Sequence, residues 1–221
     1  MERLLETGDI VILPRAAARK TGDEDPVDYY YRPISAGFYR ARLRLAASLL
    51  GSGTFETLLE VGYGSGIFLP ELARRTRRLA GLEVHDEAET VAAALRRFGI
   101  EADLRRGSVY RMPFDDGVFD AVVCLSVLEH LTELDGALGE LRRVLRPGGI
   151  AVLSFPVRNA FTDGLFRLVG YDPRALHPSS HTDILAAARR HPGFTVEREG
   201  RLPSLLPRTV SAYACCRCRA G

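Results

Sequence analysis

The chain has 221 residues, 46% of them hydrophobic and 26% charged, which is the balance of a globular protein with one sizeable core. Its 30 Lys and Arg against 28 Asp and Glu leave a net charge of +2, and this near-neutral balance argues against a partner nucleic acid. No stretch approaches the roughly 20 apolar residues of a membrane-spanning helix, and the N-terminus does not resemble a secretory signal, so we expect a cytoplasmic monomer or homodimer with no membrane span.

The first 30 residues lack a clear hydrophobic period. The stretch "KTGDEDPVDYYY" combines acids, Gly and Pro, and predicts an irregular entry. We expect residues 1–34 to form an N-terminal extension or lid and residues 35–221 to form one domain. A helix is predicted from Ser35, because apolar residues recur at helical spacing until Gly51 and Gly53 end it.

The middle of the chain alternates apolar runs with helical segments. Strands are predicted at "TLLEVG", "LAGLEV", "EADLRRGS", "VFDAVVCLSV" and "IAVLSFP", and helices at "SGIFLPELARRTRR", "DEAETVAAALRRFG" and "LTELDGALGELRRVL". Asp86 is the expected N-cap of the second of these helices, and Gly99 its end. Such alternation, with nearly continuous apolar strands, predicts a doubly wound parallel sheet covered by helices on both faces.

The C-terminal part departs from this alternation. An insertion is expected at about 157–180, followed by a helix at "HTDILAAARRH" and two strands at "FTVEREG" and "TVSAYACCRC". The connection between these strands is too short for a parallel crossover, so one antiparallel strand near the sheet edge is predicted. The cysteines lack paired zinc-site spacing, and we expect reduced thiols: Cys124, Cys215, Cys216 and Cys218.

The stretch "LLEVGYGSGIF" places three glycines directly after the first predicted strand of the sheet. In parallel sheets ligands bind beyond the carboxyl ends of the strands, where strand order reverses. The dinucleotide fingerprint is G-x-G-x-x-G, whereas here Gly62, Gly64 and Gly66 give G-x-G-x-G. Glu60 at the strand end is an awkward neighbour for a pyrophosphate and suits a cationic ammonium. Taken alone, the glycines are equally compatible with a tight turn that binds nothing.

Three further motifs follow in order and at regular spacing. "GLEV" places Glu83 at the end of the next strand, about 20 residues after the loop, where an acid can accept hydrogen bonds from ribose hydroxyls or stay solvated. "GSVYRMPFDDGVFDAVVCLSVLEHL" and "LRRVLRPGGIAVLSFP" complete the pattern. Together the motifs resemble the class I S-adenosylmethionine-dependent methyltransferases, of the small-domain type that includes ubiquinone and menaquinone biosynthesis methyltransferases.

The resemblance implies a Rossmann-like sheet of seven strands in the order 3-2-1-4-5-7-6, with strand 7 antiparallel. It also implies methyl transfer from S-adenosylmethionine to a small-molecule acceptor on O, N or C. By position it assigns cofactor binding to one set of residues: Glu60, Gly62, Tyr63, Gly64, Gly66, Glu83, Val84, Ser108, Val109 and Leu125.

Within that set, the resemblance implies that Glu60 lies near the cofactor's ammonium group, that Glu83 binds the ribose and that Val84 packs on the adenine. The sequence departs from the family at two points. Many members have Asp in place of Ser108, and Cys or Ala in place of Tyr63. The serine at position 108 puts the family's contact to the adenine amino group in question. The tyrosine at position 63 leaves the loop backbone able to line the methionine end of the cofactor.

The acceptor side is less determined. The candidate general bases are His130, after the fourth strand, and His181, because the unperturbed pKa of histidine suits proton transfer near neutral pH. His177, close to His181 in sequence, is a substrate-binding candidate. Each of them also suits a purely structural role. No third ligand follows the spacing of His177 and His181, so no metal is expected. Tyr30 and Tyr31 are lid candidates for the acceptor, with Arg32 or Arg40 expected to reach an acceptor carboxylate, and Phe161, Phe166 and Tyr171 are candidates for the opposite wall.

Other functions stay open from the sequence. A protein that binds S-adenosylmethionine without catalysis is an alternative, because no catalytic side chain is indispensable for methyl transfer. A nicotinamide-dependent oxidoreductase would use the same fold but is disfavoured by the glycine spacing and Glu60. A nucleic-acid methyltransferase is disfavoured because "CLSVLEH" stands where such enzymes carry an Asn/Asp-Pro-Pro-aromatic motif.

Overall fold

A seven-stranded mixed sheet forms the centre of the molecule. The computed structural model describes residues 3–22, 25–159, 177–205 and 210–221. The predicted wall residues Phe161, Phe166 and Tyr171, and most of the predicted insertion, lie outside these ranges.

The elements run as follows in chain order. The strands are β1 (Leu5–Thr7), β2 (Ile10–Ile12), β3 (Phe55–Val61), β4 (Thr76–Glu83), β5 (Asp103–Arg106), β6 (Phe119–Leu125), β7 (Leu145–Pro156), β8 (Phe194–Leu202) and β9 (Tyr213–Ala220). The α-helices are α1 (Ala36–Leu50), α2 (Leu69–Ala73), α3 (Ala88–Arg96), α4 (Leu134–Val144) and α5 (His181–Arg190), with short 3₁₀ helices at Val27–Tyr30 and Leu128–His130. No helix within the described ranges is long and apolar enough to cross a membrane.

The strand order is β5-β4-β3-β6-β7-β9-β8, and β9 runs antiparallel to both β7 and β8. Numbered within the sheet, this is the order 3-2-1-4-5-7-6, so the expected fold is confirmed. From β3 the chain moves outward to β4 and β5, and then returns to place β6 on the other side of β3. The carboxyl ends of β3 and β6 therefore flank the point where strand order reverses, which is where such sheets bind ligands.

Both faces of the sheet are buried, which explains the continuous apolar runs of β3 and β6. On one face, Leu58 and Val123 belong to a core shared with α1, α2 and α3. On the other face, Leu59 and Val122 pack in a second core with α4 and α5. Alternate residues of each strand thus enter different cores.

Three predictions about local structure are wrong. The long helix expected at "SGIFLPELARRTRR" is limited to α2, because Thr76 and Arg78 already pair with Phe55 and Thr57 as the first residues of β4. Strand pairing here overrides the helical spacing of the sequence. The strand expected at "IAVLSFP" starts earlier than predicted, because α4 ends at Val144 and β7 begins at Leu145. The N-cap of α3 is Glu87, one residue after the expected Asp86.

The N-terminal segment is more regular than expected. Residues 5–12 form the antiparallel hairpin of β1 and β2, and Ile10 and Ile12 are fully buried against α1 and α2. A buried acid fastens this hairpin to the domain: Glu71 accepts a hydrogen bond from the Val11 N–H at 3.0 Å and pairs with Arg75 at 2.7 Å. A three-residue apolar strand is too short for a recognisable period, so sequence alone did not predict it.

We expect Glu71→Ala to lower the free energy of unfolding by about 3 kcal/mol, because it leaves the Val11 N–H and the half-buried Arg75 guanidinium without their shared acceptor. Glu56→Ala is the matched control. It breaks exposed pairs with Arg77 and Arg78 at 3.5 and 3.8 Å and should cost less than about 1 kcal/mol. Denaturant unfolding measures both, and equal losses would contradict the role given to Glu71.

Candidate functional site

A cavity of about 590 Å³ opens at the carboxyl ends of β3, β4 and β6. Its floor is the glycine loop after β3, and its sides come from the residues after β4, β5 and β6. The N-terminal segment and α1 close it from above through Thr21, Asp25, Tyr30 and Arg42. Nine of the ten residues assigned to cofactor binding line this cavity: Glu60, Gly62, Tyr63, Gly64, Glu83, Val84, Ser108, Val109 and Leu125.

The three loop glycines serve different purposes, although all have positive φ values of 79°, 50° and 72°. A Cβ on Gly62 would lie 2.2 Å from the Val127 Cγ2 atom, and one on Gly66 would lie 2.6 Å from the Val91 Cγ1 atom. These two glycines are required by packing within the protein. A Cβ on Gly64 would meet nothing nearer than the Asp25 carboxylate at 3.9 Å. Only Gly64 therefore leaves open space that a ligand can occupy.

Two side chains at the end of β4, Glu83 and His85, hold Gly64 in place. The Gly64 N–H donates to Glu83 Oε2 at 3.0 Å, while His85 Nε2 lies 3.0 Å from the Gly64 carbonyl. Because His85 Nδ1 accepts from the Glu87 N–H, the ring proton sits on Nε2 and donates to that carbonyl. The second Glu83 oxygen accepts the Val84 N–H at 2.7 Å. Each carboxylate oxygen keeps a further lone pair, so Glu83 can still accept hydroxyl hydrogen bonds.

The Tyr63 ring packs inside the protein and is 3% exposed. It lies over Gly81 of β4, where a Cβ would come within 2.7 Å of the ring, and meets His85 edge to face at 5.4 Å. Since this ring is fixed, the backbone of Tyr63 and Gly64 is presented to the cavity in one conformation.

Glu60 is the main electrostatic feature of the loop. It is 3% exposed, and its Oε2 atom has no hydrogen-bond partner in the described part of the chain. Burial, together with the nearby Glu83 carboxylate, raises the pKa of Glu60 to about 8. A buried acid without a partner is costly, and an ammonium group in the cavity would supply both the missing charge and the missing donors. The site therefore fits the cationic end of S-adenosylmethionine.

The opposite end of the cavity is apolar and more open. Val84, which is 65% exposed, and Val109 line the cavity here, after β4 and β5. Ser108 Oγ accepts from the Tyr110 N–H at 3.2 Å, so the shape of this turn depends on the serine.

Candidate residues on the acceptor side separate into two groups. Tyr30 and His130 line the cavity, and Tyr30 is 5% exposed. Tyr31 and Arg32 do not line it. The Tyr31 hydroxyl donates to the Leu13 carbonyl, and Arg32 lies over the Tyr29 ring. His181 begins α5, outside the cavity lining, and its Nδ1 atom accepts the Arg158 N–H at 3.3 Å.

His177 lies behind His130, with the ring centroids 5.3 Å apart. Burial, aided by His130, lowers the pKa of His177 to about 4, so this ring is neutral near pH 7. Glu129 is also nearby, and ligand atoms of Glu129, His130 and His177 all lie within 4.8 Å of one another. His181 does not belong to this group, and the absence of a metal stays a prediction.

The cavity lining includes a polar group that the sequence did not indicate: Arg42, Ser126 and Tyr213. They meet although Arg42 is separated by 84 residues from Ser126 and by 171 from Tyr213. Arg42 shows only the helical spacing of α1, and no local motif marks the other two. His85 follows Glu83 and Val84 in the sequence, and the structure shows that its ring bonds the Gly64 carbonyl.

Known proteins share these features. The family described as "Methyltransferase domain" matches residues 59–153, which include the loop, β4 and β6. A relative from Mycolicibacterium smegmatis, named "Probable S-adenosylmethionine-dependent methyltransferase", is 37% identical over 77% of this chain and 61% of its own length. A ubiquinone biosynthesis O-methyltransferase from Alkalilimnicola ehrlichii is 31% identical over 58% of this chain and 53% of its own. The chain thus spans between half and two thirds of these relatives.

The fold is shared with the N-methyltransferase NodS from Bradyrhizobium japonicum, whose structure contains S-adenosyl-L-homocysteine. The TM-score is 0.67 at 20% identity, over 93% of this chain and 96% of that one. Residues 59–153 thus match a methyltransferase domain, and the chain is similar to S-adenosylmethionine-dependent methyltransferases in sequence and shares their Rossmann-like fold.

Proposed function

We propose that this protein transfers a methyl group from S-adenosylmethionine to a small-molecule acceptor bound in the same cavity. The observation that carries the proposal is Glu60, a buried carboxylate with an unpartnered oxygen beside a glycine loop at the switch point of the sheet. The family match and the relatives' names support it. We further propose that the protein works in the cytoplasm, as a monomer or homodimer, with no nucleic-acid partner.

In this proposal each wall of the cavity recognises one part of the cofactor. Glu60 accepts the ammonium hydrogen bonds, and the backbone around Gly64 contacts the methionine portion. Glu83 accepts ribose hydroxyls with its remaining lone pairs, while Val84 and Val109 pack on the adenine. The rest of the assigned set contributes shape or backbone: Gly62, Tyr63, Gly66, Ser108 and Leu125.

The cofactor, when bound, supplies a methyl group already activated by a sulfonium sulfur. The protein therefore needs to align the acceptor, exclude water and, for a hydroxyl acceptor, remove a proton. Tyr30 and Tyr213, both nearly fully buried, form the water-excluding wall. We propose His130 as the general base, because the other imidazole that lines the cavity, His85, already bonds the Gly64 carbonyl and the Glu87 N–H through its two ring nitrogens. His181, Tyr31, Arg32 and His177 lie outside that lining and act, if at all, through their neighbours.

Methyl transfer itself is tested with S-adenosylmethionine labelled in the methyl group, incubated with the purified protein and pools of small phenols, amines and carboxylic acids. We expect label in one acceptor and an equal amount of S-adenosylhomocysteine. His130→Gln should lower kcat by about 10²–10⁴-fold for a hydroxyl acceptor, with cofactor affinity unchanged. Tight cofactor binding without turnover on any pool would favour a non-catalytic binding protein.

Glu60 makes cofactor binding depend on pH. Below pH 8 the carboxyl of the free protein is mostly protonated, and it must lose that proton to pair with an ammonium. The affinity for S-adenosylhomocysteine should therefore rise between pH 6 and 8, by at most about tenfold per pH unit, with release of up to about one proton. Calorimetry in buffers of different ionisation enthalpy measures both quantities.

Glu60→Gln should remove this pH dependence and weaken binding at pH 8 by about 10–100-fold, the usual effect of losing a hydrogen bond to a charged group. The same variant should be more stable than the wild type without cofactor at pH 8. An acid whose pKa rises from 4.5 to about 8 on folding loses stability as pH climbs through that window. Glu56→Gln is the exposed control, and a Glu60→Gln protein with wild-type affinity would refute the role of Glu60.

A further inference from the structure

Arg42 is the single Lys or Arg side chain among the described residues that line the cavity. It projects from α1, at the end of the cavity formed by Tyr30, Ser126 and Tyr213. The two arginines proposed from sequence to reach an acceptor carboxylate do not line the cavity: Arg32 is exposed and stacked on Tyr29, and Arg40 donates to the Tyr30 carbonyl at 2.9 Å. A cationic contact to the acceptor is therefore available from Arg42.

The surroundings of Arg42 hold it in place without neutralising it. Its Nη2 atom donates to Ser126 Oγ and, at 3.3 Å, to the Tyr213 hydroxyl. The guanidinium carbon lies 4.2 Å from the centroid of the Tyr213 ring and 4.9 Å from that of Tyr39. These contacts with hydroxyls and ring faces orient the guanidinium plane and bring no formal charge. The buried acid Glu129 interacts electrostatically with Arg42 and hydrogen-bonds to Ser126, but burial raises the pKa of Glu129 to about 7, so near pH 7 it compensates the cation only in part.

No carboxylate in the described part of the chain pairs with this cation within 4.0 Å, and the buried Nε atom has no hydrogen-bond partner there. The guanidinium stays protonated at all working pH values. A charge withdrawn from water is normally paired, because the desolvation cost is otherwise uncompensated. The missing partner is then an anion that enters the cavity.

Ser126 provides a second, independent observation. Among the described residues it is the one non-glycine residue with a positive φ, at 55°. Such a conformation costs about 1–3 kcal/mol, and where it persists it is typical of functional sites. Here it places the Ser126 hydroxyl between Arg42 and the Tyr213 hydroxyl, which lies 2.9 Å away. The Tyr213 hydroxyl is held in turn by Ser154 at 2.6 Å.

We infer that the methyl acceptor carries an oxyanion, a carboxylate or a phosphate, that pairs with Arg42 beside Ser126. This inference rests on the proposed function, because it assigns the substrate class of the same cavity. Guanidinium binds both oxyanions through charge-assisted hydrogen bonds. With the anion held at this end, the reacting atom of the acceptor is directed toward the glycine loop and His130.

The test uses three probes of similar size on protein saturated with S-adenosylhomocysteine: benzoate, phenyl phosphate and neutral benzamide. We expect at least one anion to bind about 10–100-fold more tightly than benzamide. A preference for benzoate identifies a carboxylate acceptor, and a preference for phenyl phosphate identifies a phosphate. Equal binding of all three probes, or none at all, would overturn the inference.

Arg42→Gln should abolish this preference while S-adenosylhomocysteine still binds within about twofold of wild type. Arg44→Gln is the matched control, because it removes the same charge from the same helix at a residue that does not line the cavity. Arg42→Lys should keep a reduced preference for anions. Retention of the full preference in Arg42→Gln would assign the anion to another group.

A measurement on the wild-type protein guards against a variant that fails to fold. In ¹⁵N spectra, the Nε–Hε signal of Arg42 should shift on addition of the preferred anion and stay in place with benzamide. An unmoved Arg42 signal at saturating anion would contradict the inference. Failure of S-adenosylhomocysteine to bind would instead contradict the proposed function, so the two failures are distinguishable.

Discussion

The site depends on one constraint: the N–H and the carbonyl of Gly64 are both hydrogen-bonded to side chains at the end of the neighbouring strand, β4. Glu83 takes the Gly64 N–H and His85 donates to its carbonyl. The loop after β3 is therefore aligned by β4, and the register between these strands fixes the cavity floor. A loop carrying three residues of positive φ would otherwise sample many conformations.

The same constraint sets the electrostatics of the cavity. Holding Glu83 against the loop brings a second carboxylate close to the buried Glu60, and this proximity contributes to the raised Glu60 pKa. The free protein thus bears an unfavourable acid at the position where a cationic ligand is needed. In the proposed function, the stability that this buried acid costs is recovered when the cofactor's ammonium group binds beside it.

Much of the fold and of the loop could be predicted because their signals are local. Alternating apolar runs and helical segments indicate a parallel sheet. The G-x-G-x-G spacing, together with Glu60 and Glu83, indicates a cofactor-binding loop. The hairpin of β1 and β2 and the early start of β4 could not be predicted, because long-range pairing decides them. Arg42 was missed for the same reason: its partners are distant in sequence, and on α1 it resembles any charged helix residue.

The two ends of the cavity carry opposite requirements. Near the glycine loop a buried acid favours a cation, and beside α1 a guanidinium without a paired carboxylate favours an anion. A ligand that placed its charges the other way would bring like charges together on both sides, in surroundings where water screens them poorly. Discrimination of this kind comes from repulsion as much as from attraction. In the proposed function, this charge pattern directs the cationic cofactor toward Glu60 and the anionic acceptor toward Arg42.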